Sequence, residues 1–538
     1  MYVSNSKMKN VMRINIFMKA AFGMLTLSVA CTANYEEINK NPYEVTPGEM
    51  DRDGYAMRSY LTTMQSWVIP TDVNQCQFTD ILLGGVYGGY FVDANAGFNA
   101  NSFATYQPAS NWSEVFYETV YQKIIANYFE LENITNDENA IAVAKVIKVM
   151  GLSRVVDTYG PIPYTALGSG AGSVALDSEE KVYEAMFKDL NDAITTLTVN
   201  RTNSIVSDAD RLYGGNLEKW CKLANSLKLR LAMRVVYANP GLAQQMAEEA
   251  VGSDVGVMTD NADNAMYTGF GKDGNPFYIC FYSYKSGKGD HKVAADITSY
   301  MNGYNDPRRE AYFTQSQFSA SGVTNGYVGL RNGITVPTSE AVDQYSSYLV
   351  SAASSLMWMN ASEVAFLRAE GALRGWAMGG TADVFYEKGI DLSFSRFNLS
   401  GASAYAQSTA KPASYEDLGG LGYAFPAQST IQIAWNPANE GAFEENLERI
   451  ITQKWIANFP LGTEAWADYR RTGYPRLAEV VVNRNADVKV SLGARRLAYP
   501  LKEYETNSET IQAAVNEFLG GEDKMSTRLW WDCNPRIN

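Results

Sequence analysis

Residues able to carry out a reaction are few in this chain, and most fail on number or placement. His291 is the single histidine among 538 residues. A Ser-His-Asp or Cys-His enzyme would have to be built on it, and a multi-histidine metal site cannot form. It stands in the polar run KSGKGDHK and is read as a solvated side chain. Cys31, Cys76, Cys221, Cys280 and Cys533 include no C-x-x-C pair, which argues against a zinc ribbon or a thioredoxin-type dithiol. Spacing leaves open whether any of the last four pair. Glu464 and Asp468 in EAWADYRRTGYP share one face of a predicted helix at i, i+4. A glycosidase needs its two carboxyls across a cleft, about 5 to 9 Å apart around a sugar, so these two beside Arg470 and Arg471 are read as ion-paired. GSGAGS at 168–173 lacks the strand-turn-helix frame of a dinucleotide site, no G-K-[ST] occurs, and DNADN at Asp260 lacks the glycine and final Glu of a calcium loop. No catalytic residue, metal or cofactor is assigned.

Binding chemistry is better represented. A sugar offers apolar C–H faces and hydroxyl rims, so its site needs flat aromatic rings beside amide or carboxylate partners. GGVYGGYFVDANAGFNAN, residues 84–101, supplies both, with Tyr87, Tyr90, Phe91 and Phe98 among Asn95 and Asn99. Its glycines are read as letting the backbone turn, with neither helix nor strand expected. NPFYICFYSYKSGKGDHK follows the same logic with Tyr278, Tyr282 and Tyr284. Alternation of Phe277, Ile279 and Phe281 against Tyr278 and Tyr282 predicts a strand whose tyrosines form a second wall of one cleft.

Those residues need a scaffold, and the helical signals lie elsewhere. SEVFYETVYQKIIANYFELENI sets Phe116, Val120, Ile124, Tyr128 and Leu131 on one face, with Asn111 and Glu114 in the form of a capping box. ENAIAVAKVIKVMGLSRVVDTYGPIP continues with Val143, Val146, Ile147 and Met150 until Gly160-Pro161, so the two helices are predicted to form an antiparallel hairpin. Leu217, Trp220, Ala224, Leu227, Leu231 and Val235 align in a further helix ended by Asn239-Pro240. Phe443, Leu447, Ile450, Ile451, Trp455 and Phe459 align in another, with Glu440, Glu444 and Glu445 at its positive end. Ala382, Tyr386 and Gly389 show the small-aromatic-small spacing of a second tetratricopeptide helix. The predicted fold is mostly α: degenerate TPR-like helix pairs forming a scaffold, with a few short strands and long irregular loops near 51–110, 255–355 and 397–440 carrying the ligand face.

The net charge of −14 and pI near 4.8, with no Lys/Arg block, exclude nucleic acid as a partner. At the N-terminus, Lys7, Lys9, Arg13 and Lys19 precede the apolar run AAFGMLTLSVA, which has signal-peptide length and is too short to span a bilayer. LTLSVAC places Val29-Ala30 before Cys31 as in a lipoprotein box, with Ser28 where Leu is favoured and Leu27 one place earlier. Residues 1–30 are read as a lipoprotein signal peptide, Cys31 as the acylated residue, 31–50 as a tether and 51–538 as a single domain. Two or three acyl chains, at roughly 0.8 kcal/mol per buried CH₂, anchor a protein effectively permanently.

Several segments together resemble the SusD/RagB family, specifically its SusD-like branch. EEINKNPYEVTP is similar to the family's opening, and KVMGLSRVVDTYGPIPYTAL to its helix ending in Asp157, Tyr159-Gly160 and Pro163-Tyr164; LKLRLAMRV and NDPRRE are further matches. The most specific is ITQKWIANFPLGTEAWADYRRTGYPRL, through Gln453-Lys454-Trp455, Glu464-Ala465-Trp466, Asp468-Tyr469-Arg470-Arg471-Thr472 and Tyr474-Pro475. The resemblance implies TPR-like helix pairs, lipid anchoring at the outer membrane, a non-catalytic glycan-binding face and docking onto a SusC-like TonB-dependent transporter. It also implies that the ligand platform lies in the loop before the helix starting near Trp112. The expectation is a surface lipoprotein that binds oligosaccharide and delivers it to that transporter. The alternatives are an exported glycoside hydrolase, or a transporter lid with a peptide cargo.

Overall fold

The computed structural model describes residues 54–171, 173–318, 326–438 and 441–537. The signal segment, Cys31, the tether and Glu440 lie outside them. Two compact units, Met1–Ala56 and Met57–Asn538, divide the chain, and the described elements past Ala56 belong to the second.

The fold is mostly helical. Five of its helices begin where a short polar side chain takes a backbone N–H that the helix itself cannot satisfy. Asp137 caps α5 (Glu138–Tyr159), Ser178 caps α6 (Glu179–Val199) and Asn216 caps α7 (Leu217–Arg234). Asn239 does the same for α8 (Pro240–Val251) and Asn360 for α10 (Ala361–Leu373). The Asn239-Pro240 pair starts α8, with Pro240 where its missing N–H costs nothing, whereas α7 already ends at Arg234 and a turn over 235–238 separates the two. Earlier in the chain come α1 (Tyr55–Ser66), α2 (Val73–Cys76), α3 (Ser110–Val120) and α4 (Ala126–Ile134). The remaining scaffold helices are α9 (Ala295–Gly303), α11 (Ala382–Ser395), α12 (Phe443–Ala457) and α13 (Gly462–Thr472).

Helix α5 packs on α6, α7 on α6 and α8, α10 on α11, and α12 on α10. Between α3 and α4 lies a π-helical turn, Tyr121–Ile125. Phe116, Val120, Ile124 and Tyr128 recur every four residues, which drifts about 40° per step around a 3.6-residue helix. The wider π turn takes up that drift, and all four stay buried. The predicted capping box is not there: α3 starts at Ser110 after Ala109, and Glu114 Oε1 instead accepts the Leu501 N–H at 3.2 Å. In the α10–α11 pair, a Cβ on Gly389 would lie 2.7 Å from the Phe366 ring. Glycine thus allows the close approach that the TPR-like spacing foreshadows.

Among the described residues, two two-stranded antiparallel sheets accompany the helices. Strand β1 (Phe91–Asp93) pairs with β3 (His291–Val293) in the register Phe91↔Val293, Val92↔Lys292, Asp93↔His291. Strand β2 (Ala265–Tyr267) pairs with β4 (Leu356–Met359). The regions read as loops hold more helix than expected. The 51–110 stretch contains α1 and α2, the latter continuing as a π-helical run, Gln77–Gly85. The 255–355 stretch contains α9 and a helical segment over 276–283.

Candidate functional site

The glycine-rich segment is built for contact. Gly84 and Gly85 end the π-helical run, which lies against the start of α13. A Cβ on Gly84 would stand 2.7 Å from Thr463 N, and one on Gly462 2.3 Å from Gly84 C. Two backbones meet there with no room for a methyl group. Among the glycines of this segment, positive φ occurs at Gly89, at +73°.

That contact draws three of the predicted ligand aromatics into the core, which corrects their assignment. Tyr90 is fully buried; its hydroxyl donates to Trp455 O at 2.5 Å and its ring stacks on Trp455 at 5.6 Å. Trp455 Nε1 in turn donates to Gly88 O at 2.7 Å. Phe91 is fully buried against Phe281 and Phe459, and Tyr87 lies 5.0 Å from the Trp466 ring. All three rings are buried. The apolar surface each buries explains why, since a ring of this size gains more from the core than from water.

Asn95 and Asn99 fix the loop that follows. Asn95 accepts from Gly97 N at 2.8 Å and donates to Asp290 Oδ1 at 3.0 Å. Asn99 donates to Val336 O at 2.8 Å and accepts from Val336 N at 2.9 Å, so its amide is spent on a segment 237 residues away in the chain. Phe98, between them, remains half-buried. It meets Trp112 edge-on at 5.3 Å, and Phe78 stacks on Trp112 at 5.3 Å with 27° between planes. Phe78, Phe98 and Trp112 are each half-exposed and form one aromatic surface. Asn74, exposed one helical turn before Phe78, receives the Tyr284 hydroxyl at 3.0 Å.

Beneath this surface lies His291, and its predicted solvation is overturned. It is fully buried on β3, with Phe98 stacked at 6.2 Å and Phe281 at 5.6 Å. Gln77 Nε2 lies 2.8 Å from His291 Nε2, so as oriented the amide donates and Nδ1 carries the proton, without a partner among the described residues. Burial lowers its pKa to about 3, and the ring is neutral. Asp93, opposite it in the ladder, accepts from the Ser102 hydroxyl. Burial raises Asp93 to about 6 despite that bond. Asp290 is also raised, chiefly by burial.

The second predicted wall is helical, not stranded. Residues 276–283 form a short α turn and a π turn, so Phe277 and Phe281 face the core while Tyr278 and Tyr282 stack on each other at 5.5 Å. The i, i+4 spacing mimics alternation in the aromatic pattern, which is why periodicity misread it. Tyr278, Tyr282 and Tyr284 are half-buried; Tyr282 donates to Tyr348 O at 2.6 Å. Lys285 and Ser286 follow with positive φ, and Lys285 donates to Asp343 at 2.9 Å beside Lys288. Burial opposes the Asp343 charge, but the lysine hydrogen bonds outweigh it and lower its pKa.

Glu464 and Asp468 lie in the scaffold, away from any open cleft. Lys454 Nζ bonds both, at 3.1 and 2.7 Å, while Arg234 holds Glu464 at 2.6 Å and Arg471 holds Asp468 at 3.1 Å. Burial alone would raise Glu464; Arg234, Lys454 and Arg230 push it far below the usual carboxylate range instead. Asp260 and Asp263 close a capping box, and Asp263 also pairs with Lys222 at 3.0 Å. Among the described residues no group of three or more His, Cys, Asp or Glu is placed to hold a metal ion. Cys76, Cys221, Cys280 and Cys533 are free thiols.

Sequence reasoning missed Phe78 and Trp112 as ligand candidates. Trp112 served only to mark a helix start, and Phe78 lies in a stretch read as loop; an i, i+4 search from Asn74 would have found the latter.

The architecture is a scaffold of packed helix pairs with a partly exposed aromatic surface. The chain belongs to the SusD/RagB family of outer membrane lipoproteins, whose SusD-like profile matches residues 37–532. A SusD homologue from Bacteroides uniformis is 44% identical over 89% of this chain and 100% of its own, with a TM-score of 0.84. One from Bacteroides ovatus is 41% identical over 90% and 100%, at 0.83. A chitin-binding SusD homologue from Flavobacterium johnsoniae is 35% identical over 89% and 99%, also at 0.83. No curated protein matches the chain. No helix among the described residues is long and apolar enough to cross a membrane.

Proposed function

We propose that this lipoprotein binds oligosaccharide at the cell surface without catalysis and passes it to a SusC-like TonB-dependent transporter. The observation that carries the reading is the half-exposed Phe78–Phe98–Trp112 cluster, in which a loop held by Asn95 and Asn99 sets Phe98 against two helix-borne rings. Rings held this way can stack on sugar C–H faces with little ordering cost, while Asn74, Tyr284 and neighbouring amides meet hydroxyls. A shallow polar site of this kind gives affinities on the order of micromolar to millimolar, which suits handover. The Flavobacterium johnsoniae relative binds chitin; an oligosaccharide cargo is extended from it to this chain. The non-catalytic part of the reading rests on Glu464 and Asp468, whose charges are consumed by buried ion pairs.

A glycan-array screen of the purified full-length chain, followed by mass analysis of the recovered ligand, tests the proposal. Capture and return of an intact oligosaccharide is the expected result. A shortened glycan would support a hydrolase, and no glycan bound with a TonB-dependent barrel co-purifying would support a lid for another cargo.

A further inference from the structure

A cavity of about 310 Å³, lined by none of Phe78, Phe98 and Trp112, is bounded by β4, the helical segment at Phe277 and the turn after α12. Its walls are largely apolar, with Phe277, Leu356, Met357 and Phe459 among them. The two spaces lined by the charged core and by Tyr87 are only about 40 and 50 Å³. At roughly 30 Å³ per water, 310 Å³ holds roughly ten non-hydrogen atoms.

Two polar groups in this cavity are underused. Tyr312 is 1% exposed and its hydroxyl has no partner among the described residues. Arg396 Nε is buried and likewise unpartnered; Nη1 meets only the Met357 thioether at 2.8 Å and Nη2 only Ala457 O at 3.3 Å. No carboxylate pairs with this guanidinium among the described residues, although arginines elsewhere in the core hold carboxylates in forks. The lining carboxylate, Asp80, is already occupied by Arg154 at 2.5 Å and the Thr79 hydroxyl at 2.7 Å. A half-buried guanidinium over the Phe397 ring, with a free Nε and no carboxylate, beside a buried hydroxyl without an acceptor, is complementary to one anionic head on an apolar body.

We propose that this cavity is a second ligand site, separate from the aromatic surface, for a small molecule with an apolar body and a single carboxylate held by Arg396 and Tyr312. A sugar acid fits poorly, because Asn275 and Ser354 in the lining are already hydrogen-bonded and most hydroxyls around its ring would face methionine, leucine and phenylalanine side chains that return no hydrogen bond.

Isothermal titration of the purified full-length chain with 3-phenylpropanoate, its neutral amide 3-phenylpropanamide, and glucuronate tests this. The acid is expected to bind saturably and at least about tenfold tighter than the amide, as a charge-assisted pair supplies. Tyr312→Phe, which keeps the ring, should weaken the acid about threefold to tenfold, and Arg396→Gln should level acid and amide. Absence of saturable binding by the acid, equal affinity for acid and amide, or an acid preference that survives both substitutions overturns the proposal. Glucuronate binding better than 3-phenylpropanoate overturns the apolar body. Should Arg396→Gln fail to fold, the acid-to-amide ratio and Tyr312→Phe decide the matter without it.

Discussion

Glu370→Gln should cost this protein more stability than almost any other single-atom change. Glu370 is 1% exposed on α10 and lies between two arginines. Oε1 accepts from Arg471 Nη1 at 2.5 Å and Arg374 Nη2 at 2.8 Å, and Oε2 accepts from Arg471 Nη2 at 2.8 Å. Burial works to raise its pKa, but Arg471 and Arg374 prevail and hold it at about 2. Against an unfolded value of 4.5, that depression is worth about 3 kcal/mol, since one pKa unit is about 1.4 kcal/mol. Breaking a buried pair from one side typically costs about 3 to 5 kcal/mol, because the other charge is left uncompensated. The two routes agree. The sign follows from the depressed pKa: the contribution is complete above pH 4.5 and lost as pH falls toward 2, with about 2 kcal/mol gone by pH 3. Urea unfolding of wild type and Glu370→Gln should therefore show a gap of about 3 to 5 kcal/mol at pH 7 that narrows by about 2 kcal/mol at pH 3. The double change Glu370→Leu with Arg471→Met should recover much of the loss, since Asp468 keeps Lys454. A gap below about 1 kcal/mol at pH 7, or one that does not narrow in acid, refutes the reasoning.

Glu179 behaves oppositely. Burial raises its pKa to about 8 despite the Trp530 N–H, so it favours the folded state when protonated and weakens it as pH rises from 4.5 to 8. Glu179→Gln should add about 3 kcal/mol relative to wild type at pH 7 and nothing at pH 4, read by denaturant titration. Tyr90→Phe should lower stability by about 1 to 2 kcal/mol through the stranded Trp455 carbonyl, yet leave glycan affinity unchanged on the same array. Gly389→Ala should cost about 1 to 3 kcal/mol by pressing a methyl into Phe366, measurable as a lower melting temperature.

The scaffold was legible in sequence because its signals are local. Capping residues such as Asn216 and apolar repeats such as Leu217–Trp220–Ala224 act within a few residues of where they are read. Their burial in α7 matches the predicted face. The site was less legible, because its burial is decided by contacts far along the chain. Tyr90 and Tyr284 look equally exposed in sequence, yet the first meets Trp455, 365 residues away, and the second stays half-open beside Asn74. Gly84 and Gly88 carry turn chemistry in isolation; only the arrival of Gly462 shows that they serve close packing. His291 gives no sign that a strand will pair it with Asp93 and close Phe98 over it. Of the four rings named in the loop before Trp112, Phe98 alone stays partly exposed, and the other three face inward.

The central claim is that a fixed aromatic surface, not a reacting group, holds the ligand. Titration calorimetry with an array-selected oligosaccharide, on wild type, Phe98→Ala and Trp112→Ala, tests it most directly. Losing a ring that covers about 60 to 80 Å² of sugar face, at about 25 cal/mol per Å², removes about 1.5 to 2 kcal/mol. The account predicts at least about a tenfold weaker affinity for each variant, with the oligosaccharide recovered whole. Undiminished binding by both variants, or a cleaved oligosaccharide, would contradict it.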